Sequence, residues 1–247
     1  MTAPPVNKKF DHEIRVATLK TLELFQDLTH DLLLELSKLT TIRTLKKNEV
    51  IFEQGDTTKK FTFVNKGMVK VIRSLKPGQE MILRIATEGE FFGIQAIFSQ
   101  QTYSVRAVTE GEVTLVEIPK EPFFDFLDKH PEIYRKFLKF SCQNSQQMMR
   151  KVPEMALTRI ESRVAKILLN LTRKIGYHKD GLFQLEMPLT RKEIAAMAGT
   201  TTETVVRVLG RLEKTDIIQM NKHHIILQDQ DYLESLVDET DHLQSCQ

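Results

Sequence analysis

The sequence has no tryptophan and only two cysteines, Cys142 and Cys246, in 247 residues. Two cysteines so far apart supply neither a disulfide framework nor a paired CxxC metal site. Such usage implies a reducing cytoplasm. Long apolar runs are also missing. Nothing approaches the ~18 consecutive apolar residues of a membrane span, so no membrane partner is expected. Residues 1–10 hold two prolines and two lysines but no apolar core, which excludes a signal peptide there. P-loop, GxSxG and HExxH patterns are absent, so nothing supports an enzyme. What is present is ordinary folded-protein composition, 41% hydrophobic and 28% charged, unlike that of a disordered or collagen-like chain.

The formal net charge of +2 averages over opposed regions. It is +2 over residues 1–120, +2 over 121–153, +4 over 154–228 and −6 over 229–247. A basic segment before an acidic tail fits a nucleic-acid partner, and equally a solvated surface.

Residues 22–39 show helical spacing of Leu22, Phe25, Leu28, Leu32, Leu36 and Leu39, interrupted near residues 27–31, and residues 1–21 read as an extension. From residue 50 to 119 the period falls to two. Short β-rich runs, among them residues 61–64, 68–72, 105–108 and 113–118, are bounded by glycines, of which Gly55, Gly67, Gly78 and Gly89 stand 12, 11 and 11 apart. Turns at that interval predict a compact antiparallel barrel or sandwich. A short helix follows around Phe123, Phe124 and Leu127, then a long one over residues 131–153. The long helix has one apolar stripe of Ile133, Phe137 and Phe140 and a second of Tyr134, Leu138, Ser141, Ser145, Met148 and Val152. Two apolar faces need two partners. The β domain suits one; a second copy of the chain or other parts of the same chain suits the other. Pro153 should end or kink this helix. Thr158 and Glu161 have capping-box spacing for the next helix, followed by a loop over 173–181 and a strand near 183–187.

Thr190-Arg191-Lys192-Glu193 is a further capping box, and Gly199 closes the short helix that it opens. Thr200-Thr201-Thr202-Glu203 then caps a helix running to about Lys214. Two helices joined at a glycine form a helix-turn-helix. The apolar runs 217–218 and 225–227 around a polar turn add a β-hairpin wing. A recognition helix enters the major groove by its first turns, so Thr202, Glu203 and Arg207 are the candidate base readers. Glu203 suits cytosine N4 and Arg207 suits guanine O6/N7. Thr190, Arg191, Lys192, Thr200, Thr201, Thr204, Arg211 and Lys222 suit phosphates.

These motifs together resemble the Crp/Fnr family of bacterial transcription regulators over roughly residues 22–237. The effector half rests on Glu53-Gln54-Gly55-Asp56, Lys66-Gly67, Gly89, Phe92-Gly93 and Val105-Arg106-Ala107. The DNA half rests on 189–195 and on Glu203-Thr204-Val205-Val206-Arg207. The resemblance implies an α+β chain. Its parts are an N-terminal cyclic-nucleotide-binding-type β-barrel (jelly roll, residues 22–130), a long central dimerisation helix (131–153), a C-terminal winged helix-turn-helix (154–237) and an acidic tail (238–247). It also implies a homodimer on inverted-repeat double-stranded DNA, with Tyr134, Leu138, Ser141, Cys142, Ser145 and Met148 at the seam. RNA polymerase is the implied further partner, residues 176–181 being similar in position to the family's polymerase-contacting loop. The arginine that often precedes the family's reading glutamate is Thr202 here.

Cyclic-nucleotide-binding members of the family carry Phe-Gly-Glu, a later Arg-Ser pair and a Thr-Ser pair on the long helix. The corresponding positions here are Phe92, Gly93, Ile94 and Gln95; Gln101 and Thr102; and Met148 and Met149. All three elements depart, which argues against cAMP or cGMP. Two cysteines do not supply an iron–sulfur cluster, and the seven histidines all lie outside residues 40–120, which argues against haem in the barrel. No cofactor is identified and the effector is open. A ligand-sensing module acting through a protein partner is the alternative reading.

Overall fold

The structure is a computed structural model. It describes residues 8–76, 79–99, 102–157, 159–179, 181–185, 190–221 and 224–242. The chain divides into two units, residues 1–144 and 145–247.

In the first unit the supposed extension is mostly helix. α1 (Lys8–Thr21) buries Val16 and Leu19, and α2 (His30–Leu39) buries Leu33 and Leu36. Between them, residues 22–28 form turns rather than helix, closed by Phe25 N–H to Leu22 O and Leu28 N–H to Phe25 O. Thr29 caps α2 by accepting from the Leu32 N–H.

Six antiparallel strands follow: β1 (Thr41–Leu45), β2 (Val50–Phe52), β3 (Lys60–Lys76), β4 (Gln79–Ala86), β5 (Phe91–Phe92) and β6 (Arg106–Pro119). The four runs expected around 61–64, 68–72, 105–108 and 113–118 are two long strands, β3 and β6, paired from Lys60↔Pro119 to Ile72↔Arg106. β4 and β5 pair with β3, and β1 and β2 pair with β6. Contrary to the expected barrel, these ladders do not close into a ring among the described residues. The order β1-β6-β3-β4 leaves two edges.

Alternation along β3 and β6 gives the sheet two cores. Phe61 and Phe63 of β3, with Val116 and Ile118 of β6, join the helical residues Leu19, Leu36, Phe123, Ile133 and Phe137. Val64, Val69 and Val71, with Val113 and Leu115, pack on the other side with Leu45, Phe52, Phe92 and Tyr103. The register slips between Val64 and Met68, around Gly67 at φ 92°. A bulge of this kind bends the strand. The short helix α3 (Ile94–Phe98) follows β5, α4 (Lys120–Lys129) follows β6, and α5 (Pro131–Leu157) begins in this unit.

α5 is continuous helix past Pro153, to Leu157. One proline removes a single helical N–H donor, and the turns on either side carry the helix through. The expected cap, Thr158, lies outside the described residues. α6 (Ile160–Ile175) has Arg159 at its N-cap with no side-chain cap bond. The anticipated loop over 173–181 is largely β7 (Gly176–Lys179), paired with β8 (Leu182–Leu185). α7 (Arg191–Ala198), α8 (Thr202–Lys214), the hairpin β9 (Ile218–Asn221) with β10 (His224–Leu227), and α9 (Gln230–His242) complete the second unit. Its sheet runs β7-β8-β10-β9.

A Cβ placed at Gly67 would lie 2.5 Å from the Glu112 carbonyl oxygen, in a backbone region that side chains avoid. Gly67→Ala is therefore expected to lower stability by about 2 kcal/mol or more, read as a shifted urea-unfolding midpoint at unchanged slope.

Candidate nucleic-acid interface and effector pocket

The helix-turn-helix is built by local bonds that its sequence specifies. Thr190 accepts from the Glu193 N–H while the Glu193 carboxylate accepts from the Thr190 N–H at 2.9 Å and from its hydroxyl at 2.8 Å. α7 ends at Gly199, left-handed at φ 61°, and the Ala195 carbonyl accepts from both the Gly199 and Thr200 N–H groups. Arg163 of α6 donates to the Ala198 carbonyl at 3.0 Å. The cap of α8 is Thr201 rather than Thr200: Thr201 Oγ1 accepts from the Thr204 N–H and pairs with the Thr204 hydroxyl at 2.9 Å. With three threonines in a row, the one that caps is decided by the backbone of the turn. Thr200, still bonded to Ala195, belongs to the end of α7.

α8 seats itself by Val205, Val208, Leu209 and Leu212, all buried. Each such side chain contributes about 1.5–3 kcal/mol of transfer free energy. Its end is tied to the wing, where Glu213 accepts from the Met220 N–H at 3.2 Å and Leu212 from the Ile217 N–H at 2.9 Å. The opposite face is open. Thr202, Glu203, Val206 and Arg207 are exposed at helical i, i+1, i+4 and i+5 positions, which puts them on one side of the helix. Arg191 and Lys192 are exposed at the start of α7.

Other expected DNA-facing residues are placed less freely. Thr200 and Thr204 are half-buried. The Thr190 hydroxyl is committed to Glu193 as donor and acceptor. Arg211 is ion-paired with Glu161 of α6. Lys222 lies outside the described residues.

Phe92 and Ile94 are buried in the apolar cores, Gln95 and Thr102 are exposed, and Gln101 lies outside the described residues. Met148 and Met149 belong to the second unit. The Met149 side chain is exposed, and that of Met148 is outside what the structure describes.

A residue not anticipated from the sequence, Tyr103, is buried in the interior of the first unit. Tyr103 stacks on Phe52 with ring centroids 3.7 Å apart and nearly coplanar rings. It presses so close beneath the Gly93 backbone that a Cβ there would meet its ring at 2.6 Å. Its hydroxyl donates to the Lys60 carbonyl at 3.3 Å. Burial, with Glu117 and Asp56 nearby, pushes the Tyr103 phenol up to about 12. Beside this stack is a cavity of about 340 Å³ lined by Arg43, Asp56, Lys59, Lys60, Thr62 and Glu117, among others. The buried Glu117 carboxylate accepts from Lys60 at 2.7 Å and lies 3.7 Å from Arg43.

On α5, Ile133 and Phe137 are buried and Tyr134 packs partly against the same core. Of the second stripe, Leu138 is 65% exposed, Cys142 and Ser145 are exposed, and Ser141 is half-buried.

The architecture is that of a two-part regulator: residues 42–130 match the cyclic nucleotide-binding domain family and residues 162–236 the Crp-like helix-turn-helix domain. Similar proteins include the cAMP-activated global transcriptional regulator CRP of Salmonella typhimurium, 28% identical over 75% of this chain and 89% of the relative. The CRP-like cAMP-activated global transcriptional regulator of Mycobacterium tuberculosis is 24% identical over 85% of this chain and 94% of its own. A solved CRP/FNR-family transcriptional regulator from Thermus thermophilus superposes with a TM-score of 0.69 at 25% identity, covering 81% of this chain and all of the other. The chain belongs to the Crp/Fnr family of DNA-binding transcription regulators.

The capping assignment has a direct test. Thr201→Ala should cost about 1 kcal/mol of stability, whereas Thr200→Ala should cost markedly less, both measured by chemical denaturation.

Proposed function

We propose that this regulator binds an inverted-repeat operator as a homodimer, sequence-specifically and without control by cAMP. The observation that carries this reading is the exposed face of α8, where Glu203 and Arg207 stand one helical turn apart on a helix fixed by its cap and its buried apolar side. Glu203 accepts from cytosine N4 and Arg207 donates to guanine O6/N7, with Thr202 beside them. Arg191 and Lys192 take phosphates at the start of α7. Thr200, Thr201, Thr204, Arg211 and Lys222 are further phosphate partners, Arg211 on leaving Glu161. Thr190 contributes mainly by holding the cap.

The uncovered stripe of α5, with Leu138 exposed, supports a seam between two copies along Tyr134, Leu138, Ser141, Cys142, Ser145 and Met148. RNA polymerase is the expected further partner. Two relatives named as cAMP-activated make the nucleotide the obvious effector. The Phe52–Tyr103 stack and the buried Ile94 speak against it here, since a cyclic phosphate needs buried donors.

Arg207→Ala should weaken specific operator binding by about 1–3 kcal/mol and relax base choice in a gel shift on a site selected from random duplex DNA. Unchanged binding would remove α8 from recognition. Absence of any salt-sensitive DNA binding would favour a module acting through a protein partner. Calorimetric titration with cAMP and with cGMP should give no binding heat, and neither nucleotide should alter the gel shift.

A further inference from the structure

α8 carries one apolar residue that its own fold leaves substantially exposed. Val205, Val208, Leu209 and Leu212 are buried, but Val206 is 45% exposed. A β-branched side chain at an exposed helical position loses rotamer freedom and contributes nothing to the core. Val206 follows Glu203 by three residues and Thr202 by four and directly precedes Arg207. It therefore lies on the same face as the proposed base readers, with the Thr202 methyl one turn away. On the base edges of the major groove, the apolar group on display is the thymine C5-methyl.

Resting on the reading of α8 as the recognition helix, we infer that Val206, flanked by Thr202, contacts the C5-methyl of a thymine adjoining the G·C pair read by Glu203 and Arg207. Specificity at that position is then hydrophobic. It discriminates thymine from uracil, which has the same hydrogen-bonding edge, and a 5-methylated cytosine presents the same group.

The test uses the full chain and its selected operator. Each thymine of the half-site is replaced in turn by deoxyuridine, and binding is followed by fluorescence anisotropy. One position per half-site should lose roughly three- to tenfold in affinity, the loss expected for one desolvated methyl group. Val206→Ala should lose a similar factor on the natural site and become indifferent to deoxyuridine at that position. It should keep its dependence on the G·C pair. Being exposed, Val206 can be replaced without disturbing the core, which an unchanged unfolding midpoint would verify. If no deoxyuridine substitution weakens binding, or if Val206→Ala keeps the full deoxyuridine penalty, the inference is overturned. Should Arg207→Ala abolish specificity while every thymine proves replaceable, Val206 alone is excluded and α8 remains the reader. If Arg207→Ala also binds normally, the reading of α8 itself falls.

Discussion

The pairing of β3 with β6 is the constraint on which the first unit depends. Every other strand of that sheet hydrogen-bonds to one of these two. Both apolar cores are defined by which way their side chains alternate. A one-residue slip would carry Phe61 and Phe63 away from the helices and exchange them with Thr62 and Val64. The register is held by the bulge at Gly67, where only a residue without a side chain accommodates both the backbone angle and the nearby Glu112 carbonyl. The turns, α3 and the Phe52–Tyr103 stack take their positions from that ladder.

The helix-turn-helix depends on shorter-range rules. Its two helix starts are fixed by threonine caps and its bend by Gly199, so its geometry is set within about a dozen residues. This is why it was the most legible part of the sequence. A capping box names its own partners, and Val205, Val208, Leu209 and Leu212 announce the buried side of α8 by spacing alone. The strands were legible through their period of two, although periodicity could not show that four runs were two long strands bent at glycines.

What the sequence concealed has identifiable causes. α1 buries only a few side chains amid charged neighbours, so its amphipathic signal was faint. The sequence Thr200-Thr201-Thr202 offers three equivalent caps, and the choice is made by where α7 releases the chain. Pro153 breaks isolated helices but not a helix continued on both sides. Tyr103 lies outside any regular element; a tyrosine in a loop carries no periodic mark of burial, and its stacking on Phe52 beneath the Gly93 backbone is visible only in the folded chain.

If Arg211 takes a DNA phosphate as proposed, its pairing with Glu161 bears on ion accounting. An arginine that moves from a carboxylate to a phosphate frees a cation from the DNA but leaves behind a carboxylate, which attracts one in return. Its net contribution to counterion release is therefore smaller than that of an unpaired arginine. A phosphate count taken from the slope of affinity against salt concentration would then fall short of the number of basic side chains on the DNA. The shortfall would reflect the protein's own internal competitor for its positive charge.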